Sequence, residues 1–452
     1  ALKHRDPISW GAMIGGYAQN GHGNAALELF GRMSVQDEEN INPSKTLFLS
    51  LLKACCIIGD LYEGRLLHIQ VVKNEMNSDP TVANMLLDMY AKCGSLKEAH
   101  NVFDKMHARD CVSWGALVTG HVLQNDAFGA MSLFAEMLMD ELPINEVVYL
   151  GALKACSMIK NLELARLIHF HIMENDFILD DMIGSTIIDL YVKCGNLDDA
   201  RTSFDSLPNH DVVTWGTMMM GYLNQGHGLL AFRLFIEMQK KGLKPDKMAL
   251  MCSLKACSIM GALDWGKWIH THILLQSRFE VEAVLACNLL DMYAKSGSIE
   301  DAQKVFDRLS TCDAAAWGAL VAGYASESNF TRVRFCLETM QKQGIRPNGV
   351  MFMSILAACS QGGCIQEGFQ FFRSMVQDYE ISPTHEHYSC ILDLLARSGR
   401  LDNANDLRLT LEKLPDTVTW RSLLSSCRVY NNKNLATTCF SEVVDLDHNN
   451  DC

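Results

Sequence analysis

The sequence predicts an all-α solenoid of helical hairpin repeats, on three observations. The phrase "DMYAKCGSLKEAHNVFD" at 88–104 returns as "DLYVKCGNLDDARTSFD" at 189–205, as "DMYAKSGSIEDAQKVFD" at 291–307, and more loosely as "DLLARSGRLDNANDLR" at 393–408. Two further phrases keep the same interval of about 101 residues: "LLKAC", "ALKAC" and "SLKAC" around Lys53, Lys154 and Lys255, and "WGAMIGGY", "WGALVTGH", "WGTMMMGY" and "WGALVAGY" from Trp10, Trp114, Trp215 and Trp317. Apolar residues recur within the phrases at helical period, strand patterns are scarce, and there are only nine prolines in 452 residues.

Residues 80–110 show how one unit is built. "PTVANMLLDMYAK" sets Val82, Met85, Leu86, Met89 and Tyr90 at helical spacing, and Gly94 stops the helix. Ser95, with Glu98 three residues on, has the form of a capping box. "LKEAHNVFDKM" then gives a second helix with Leu96, Ala99, Val102, Phe103 and Met106 inward. A lone hairpin cannot bury both of its faces, so such units must stack. The spacing parses as 7–44, 45–79 and 80–110, then 111–145, 146–180 and 181–211, then 212–246, 247–282 and 283–313. Units 314–348, 349–384 and 385–416 follow, and a closing segment at 417–450. The first unit is lengthened by an acidic insertion around "QDEEN".

Composition narrows the function. No uninterrupted apolar run reaches the length of a membrane span, so no membrane helix is expected. The chain opens inside a repeat, without a secretory or transit segment, as a mature or excised fragment would. Its 17 cysteines are odd in number. Cys55, Cys156, Cys257 and Cys359 hold equivalent positions, which points to packed, reduced thiols. No CxxC pair is present, so a zinc site is not expected. A net charge of −14 argues against a strongly basic nucleic-acid binder, although a local basic stripe remains compatible with it. No phosphate-binding loop, dinucleotide fingerprint or nucleophile elbow occurs, and no cofactor is expected.

Unit lengths alternating 35, 35 and 31 depart from a uniform tetratricopeptide array. They resemble the pentatricopeptide repeat family, in its plant organellar subclass of alternating P-, L- and S-type repeats. The motifs are "SWGAMIGGYAQNGHGNAALELFGRM" (P), "SLKACSIMGALDWGKWIHTHI" (L) and "LLDMYAKCGSLKEAHNVFDKM" (S). "SPTHEHYSCILDLLARSGRLDNA" and the following "PDTVTWRSLLSSCRVYNNKNLATTCFSEVVDLDHNN" resemble the terminal repeats and first extension motif of the family's RNA-editing members. The resemblance implies a right-handed α-α superhelix with repeats over 1–348, terminal variants over 349–416 and an E-type extension over 417–452. It also implies a mitochondrial or chloroplast location and selective binding of single-stranded RNA, in C-to-U editing or RNA processing. The deaminase signature HxE…PCxxC is absent, and "HEHYSC" at 385–390 lies inside a repeat. The chain is therefore expected to be no enzyme itself, and to recruit a deaminase-bearing protein through 417–450. A protein-interaction scaffold using the superhelical groove is the alternative.

Repeats of this kind read one base each with two or three side chains. The resemblance places the readers at the fifth residue of the first helix and the last residue of the repeat. Asn84 with Asp110 is then associated with uridine, and Ser185 with Asp211 with guanosine. In 283–313 Cys287 takes the fifth place opposite Asp313. The P-type repeats carry Gly11, Gly115, Gly216 and Gly318 there, which leaves Asn145, Asp246 and Asn348 without the usual partner. Readout is therefore expected to be sparse. Asp and Asn at these ends would also suit helix N-caps. Lys92, Lys193, Lys295 and Arg397, each the thirteenth residue of its repeat, are expected to meet RNA phosphates, though a cation there also complements the helix dipole. The four tryptophans, and His68, His169 and His270, are assigned to packing.

Overall fold

The computed structural model describes residues 7–36, 44–140, 142–175, 181–276, 283–309, 312–410, 417–430 and 432–450. Among these residues there are twenty-six α-helices, one 3-10 turn at Met76–Ser78 and no strand. No described helix is long and apolar enough to cross a membrane. The chain forms two compact units, 1–221 and 222–452.

In the first unit the first helices of successive hairpins pack on one another: Pro7–Gln19 on Lys45–Ile58, that on Pro80–Lys92, then Cys111–Leu123, Glu146–Ile159 and Asp181–Lys193. Second helices such as Leu61–Lys73 and Leu96–Lys105 pack between their own first helix and the next one. The second unit repeats the scheme from Lys247–Met260 through Ala283–Lys295, Ala314–Ser326, Gly349–Gly362 and His385–Arg397 to Thr417–Val429. Each unit is thus a stack of hairpins with one layer of first helices and one of second helices.

The predicted hairpin at 80–110 forms as expected, with one local difference. Pro80 occupies the first turn, Asp79 caps the amides of Thr81 and Val82, and Gly94 takes φ 88° at the helix end. Val82, Leu86, Met89 and Tyr90 are buried, while Met85 stays half-buried. Ser95 makes no capping box. Its hydroxyl donates to the Glu98 carboxylate at 2.8 Å instead of accepting an amide. Glu98 is drawn outward by Arg65 of the preceding hairpin, 3.0 Å away.

Trp10, Trp114, Trp215 and Trp317 are core residues, each under 5% exposed. Phe103, Phe204 and Phe306 meet Trp114, Trp215 and Trp317 edge-on, with ring centroids 4.9, 4.8 and 4.6 Å apart. Such pairs add about 0.5–1.5 kcal/mol beyond area burial. The three histidines bond to tyrosines of the next hairpin: His68 to Tyr90 at 2.8 Å, His169 to Tyr191 at 3.0 Å and His270 to Tyr293 at 2.8 Å. Cys55, Cys156, Cys257 and Cys359 are fully buried, and burial pushes each thiol up to about 12.

Candidate nucleic-acid interface

The residues that end the repeats first serve the backbone. Asp110 accepts from the Ser113 amide at 2.9 Å, Asn145 from Val148 at 3.0 Å and Asp211 from Thr214 at 2.7 Å. Asp246 accepts from Ala249 at 2.8 Å, Asp313 from Ala316 at 2.9 Å and Asn348 from Met351 at 3.0 Å. Each is an N-cap, worth about 1 kcal/mol to its helix. The cap fixes where the side chain stands, which is also what a reading residue requires.

Asn84 and Asp110 are brought together across 26 positions. The Asn84 amide donates to both Asp110 carboxylate oxygens, at 3.3 and 3.2 Å. Partial burial disfavours the Asp110 charge, but hydrogen bonds from the Ser113 backbone and Asn84 outweigh it and hold the carboxyl below its usual range. Cys287 stands in the same relation to Asp313, with Sγ 3.8 Å from Oδ1. Ser185 differs. Its hydroxyl donates back to the Met182 carbonyl at 3.0 Å, and Asp211 is engaged by Thr214.

A cleft of about 590 Å³ collects Asn84, Asp110, Asp88 and Lys92 with Gly115, Val112 and Val147. The glycine is not demanded by packing. A Cβ at Gly115 would meet Val147 at 3.4 Å, one at Gly318 would meet Met351 at 3.5 Å, and one at Gly11 would meet nothing within 4 Å. These places are open to a side chain that the sequence does not supply.

Sequence reasoning missed a recurring set of exposed apolar residues. Val112, Val147, Val213, Val284 and Val350, each the second residue of its repeat, are 46–64% exposed. The signal was available: an apolar residue recurs two positions after the residue that ends each preceding repeat, off the phase of the buried stripe. Chemically, the apolar Val112 in the cleft with Asn84 and Asp110 can lie against the flat face of an unstacked base.

The predicted phosphate-binding cations do not stand alone. Lys92 lies 2.8 Å from Asp88, Lys193 2.7 Å from Asp189, Lys295 2.9 Å from Asp291 and Arg397 2.8 Å from Asp393. Burial opposes the Lys92 charge, but the Asp88 carboxylate more than offsets it and raises the ammonium's affinity for its proton.

On the other layer, large apolar side chains recur at the 101-residue interval. Leu66, Leu167 and Trp268 form one exposed set, and Val72, Met173 and Leu274 another. The closing segment is one more hairpin, Thr417–Val429 and Lys433–Asn450, built on buried Trp420, Leu423 and Cys427. The Tyr430 hydroxyl donates to the Arg397 carbonyl at 3.0 Å. In "HEHYSC", His387 is a cap. It accepts from the Thr384 amide at 3.1 Å through Nδ1, so Nε2 carries the proton it donates to the Gly349 carbonyl at 2.8 Å. No group of His, Cys, Asp and Glu among the described residues could hold a metal ion.

Comparison with known proteins agrees with this architecture. Residues 8–36, 81–111, 112–142, 185–212 and 285–313 match the PPR repeat, 210–258 the PPR repeat family and 336–397 the pentatricopeptide repeat domain. The Arabidopsis thaliana pentatricopeptide repeat-containing protein At1g11290, chloroplastic, is 31% identical over 99% of this chain and 55% of its own length. The protein of the same description At3g26782, mitochondrial, also from Arabidopsis thaliana, is 32% identical over 98% of this chain and 68% of its own length. The chain therefore spans only part of these relatives. Among solved structures, the pentatricopeptide repeat protein PPR10 from maize superposes with a TM-score of 0.50 at 16% identity, covering 98% of this chain and 74% of that one. PPR10 in complex with an 18-nt psaJ RNA element gives 0.51 at 17% identity, covering 98% and 65%. At such identities the likeness concerns the fold. On the repeat matches and the curated relatives together, the chain belongs to the pentatricopeptide repeat family.

Proposed function

We propose that this chain binds single-stranded RNA with sequence selectivity in a plant organelle, as a member of the alternating P-, L- and S-type subclass. In this reading the hairpin at 417–450 is an E-type extension. It presents a deaminase-bearing protein to the bound RNA for C-to-U editing, or a processing factor in its place. The observation that carries the proposal is the Asn84–Asp110 pair, already assembled in a cleft beside exposed Val112 and the Lys92 ammonium. A short amide and a carboxylate offer donors and acceptors to the Watson–Crick edge of a splayed-out base, and the apolar neighbour supports its face. The relatives named chloroplastic and mitochondrial support the organellar part.

The experiment is filter binding with pooled single-stranded RNA, and duplex RNA of the same composition as comparator. Retention of the single strand, weakening as salt rises, is expected. No retention even at low salt would contradict the proposal. It would favour a second reading, a protein-interaction scaffold, for which the exposed apolar sets on the second helices of the L-type repeats speak.

A further inference from the structure

The ion pairs on the first helices are built in a way that helix stability alone does not require. Each acid precedes its cation by four residues, an orientation that modestly favours a helix. Three of the four carboxylates are also gripped from the neighbouring hairpin. Cys56 Sγ approaches Asp88 at 3.7 Å, Ser258 donates to Asp291 at 3.0 Å and Ser360 to Asp393 at 2.5 Å. These three carboxylates are held from two sides, while beside Asp189 the matching Ser157 donates to the Lys154 carbonyl at 2.9 Å instead. Lys92, Lys193 and Lys295, each paired with its carboxylate, are 42–61% exposed. Asp88 and Lys92 both line the cleft that holds Asn84 and Asp110.

We infer that Asp88, Asp189 and Asp291 are positioning residues that hold Lys92, Lys193 and Lys295 in neutralised pairs and so restrain the attraction of the array for RNA phosphates. The inference rests on the RNA-binding reading above. Its logic is one of selectivity. Phosphate binding is independent of sequence, and an array with few reading pairs would have its selectivity swamped by a fully exposed row of cations. A carboxylate one turn upstream keeps each ammonium in place, lets it use its remaining donors, and cancels most of its long-range charge.

The test replaces Asp88, Asp189 and Asp291 by Asn together and measures single-stranded RNA binding against salt. Each uncovered cation should add roughly −0.7 to the slope of log K against log salt, so about −2 for three, and affinity near 0.1 M salt should rise at least tenfold. Discrimination between preferred and scrambled RNA should narrow. A control with the same change in net charge, Asp104→Asn, Glu163→Gln and Asp205→Asn on second helices, should leave the slope unchanged. Adding Lys92→Gln, Lys193→Gln and Lys295→Gln to the Asn background should abolish the gain. If the wild type binds RNA but the Asn variant gains no more than the control, the carboxylates only support their helices and the inference is overturned. If neither protein binds RNA at any salt, the functional reading itself fails, and this inference with it. Circular dichroism confirms that the variants keep their helicity.

Discussion

The hairpins 80–110 and 111–145 share a fold and a cleft but differ in the chemistry they bring to it. The first places Asn84 against Asp110 and Lys92 against Asp88. The second has Gly115 at the fifth position, and its end residue Asn145 caps the next helix and donates to the Cys111 carbonyl at 3.5 Å. Both keep an exposed valine or threonine at the second position. On the proposed RNA-binding reading, the difference teaches that the scaffold of a repeat and its ability to read a base are separable. The cap serves the helix in either case, and only the fifth residue decides whether a second polar group is present.

The largest expected effect concerns backbone attraction. Replacing Lys92, Lys193, Lys295 and Arg397 by Gln leaves four carboxylates facing the RNA. Affinity should fall well over tenfold near 0.1 M salt, because the bared carboxylates repel phosphates, while the salt slope becomes less negative by less than the roughly 3 that four unpaired cations would contribute. Salt-titrated filter binding measures both, and an unchanged affinity would return these residues to a purely structural role.

The next effect is one of selectivity at the repeat 181–211. Ser185→Asn makes the pair at 181–211 a copy of that at 80–110. It should shift one RNA position from guanosine toward uridine by roughly tenfold, since a good base-edge contact discriminates by about 1–3 kcal/mol. Ser and Asn differ little in helix preference, so helicity should not change. Binding to RNAs varied at that single position reads the outcome.

A third substitution gives the glycine-bearing repeat 314–348 a polar fifth residue. Gly318→Asn adds an amide where a Cβ meets Met351 only at ordinary contact distance, opposite Asn348. The RNA position facing 314–348 should acquire a base preference of several-fold. If it stays indifferent, the fifth position does not explain the contrast between repeat types.

The smallest effect separates the joints between repeats. The hairpins 80–110, 181–211 and 283–313 meet the preceding hairpins through His–Tyr bonds, and the following ones through Phe–Trp contacts. Burial pushes His68, His169 and His270 below their usual range. The unfolded chain, titrating near pH 6.5, then binds more protons than the folded one, so stability present above that pH is lost as pH falls below it. The thermal midpoint should drop between pH 7.5 and 5.5, and drop less when the three histidines are replaced by Gln. Identical pH profiles would show that the joints are not proton-sensitive.

Much of this was legible in the sequence, because repetition exposes what a single copy hides. The intervals between the tryptophans, the histidines and the "LKAC" phrases defined the hairpins and their buried faces. Asn84, Asp110 and Lys92 could be placed on one wall because helical phase fixes which side a residue faces. The Asp partners of the cations were visible as i, i+4 spacings, but their pinning by Cys56, Ser258 and Ser360 depends on how one hairpin sits on the next. The same holds for Ser95, which lost its predicted capping box because Arg65, thirty residues upstream, drew Glu98 away. Ser185 shows the other limit. Its sequence position matches Asn84, yet a hydroxyl has its own helix carbonyl within reach and turns to it.

The most direct test of the account is selection from randomised single-stranded RNA with the unaltered protein. The pairs Asn84/Asp110 and Ser185/Asp211 lie three repeats apart, and on the proposed reading the N-terminus faces the RNA 5′ end. The selected pool should carry uridine followed three nucleotides later by guanosine, with weak preference at the positions that face glycine-bearing repeats. A pool with no recovered consensus, or one whose strongest preferences fall opposite Gly115, Gly216 or Gly318, would contradict it.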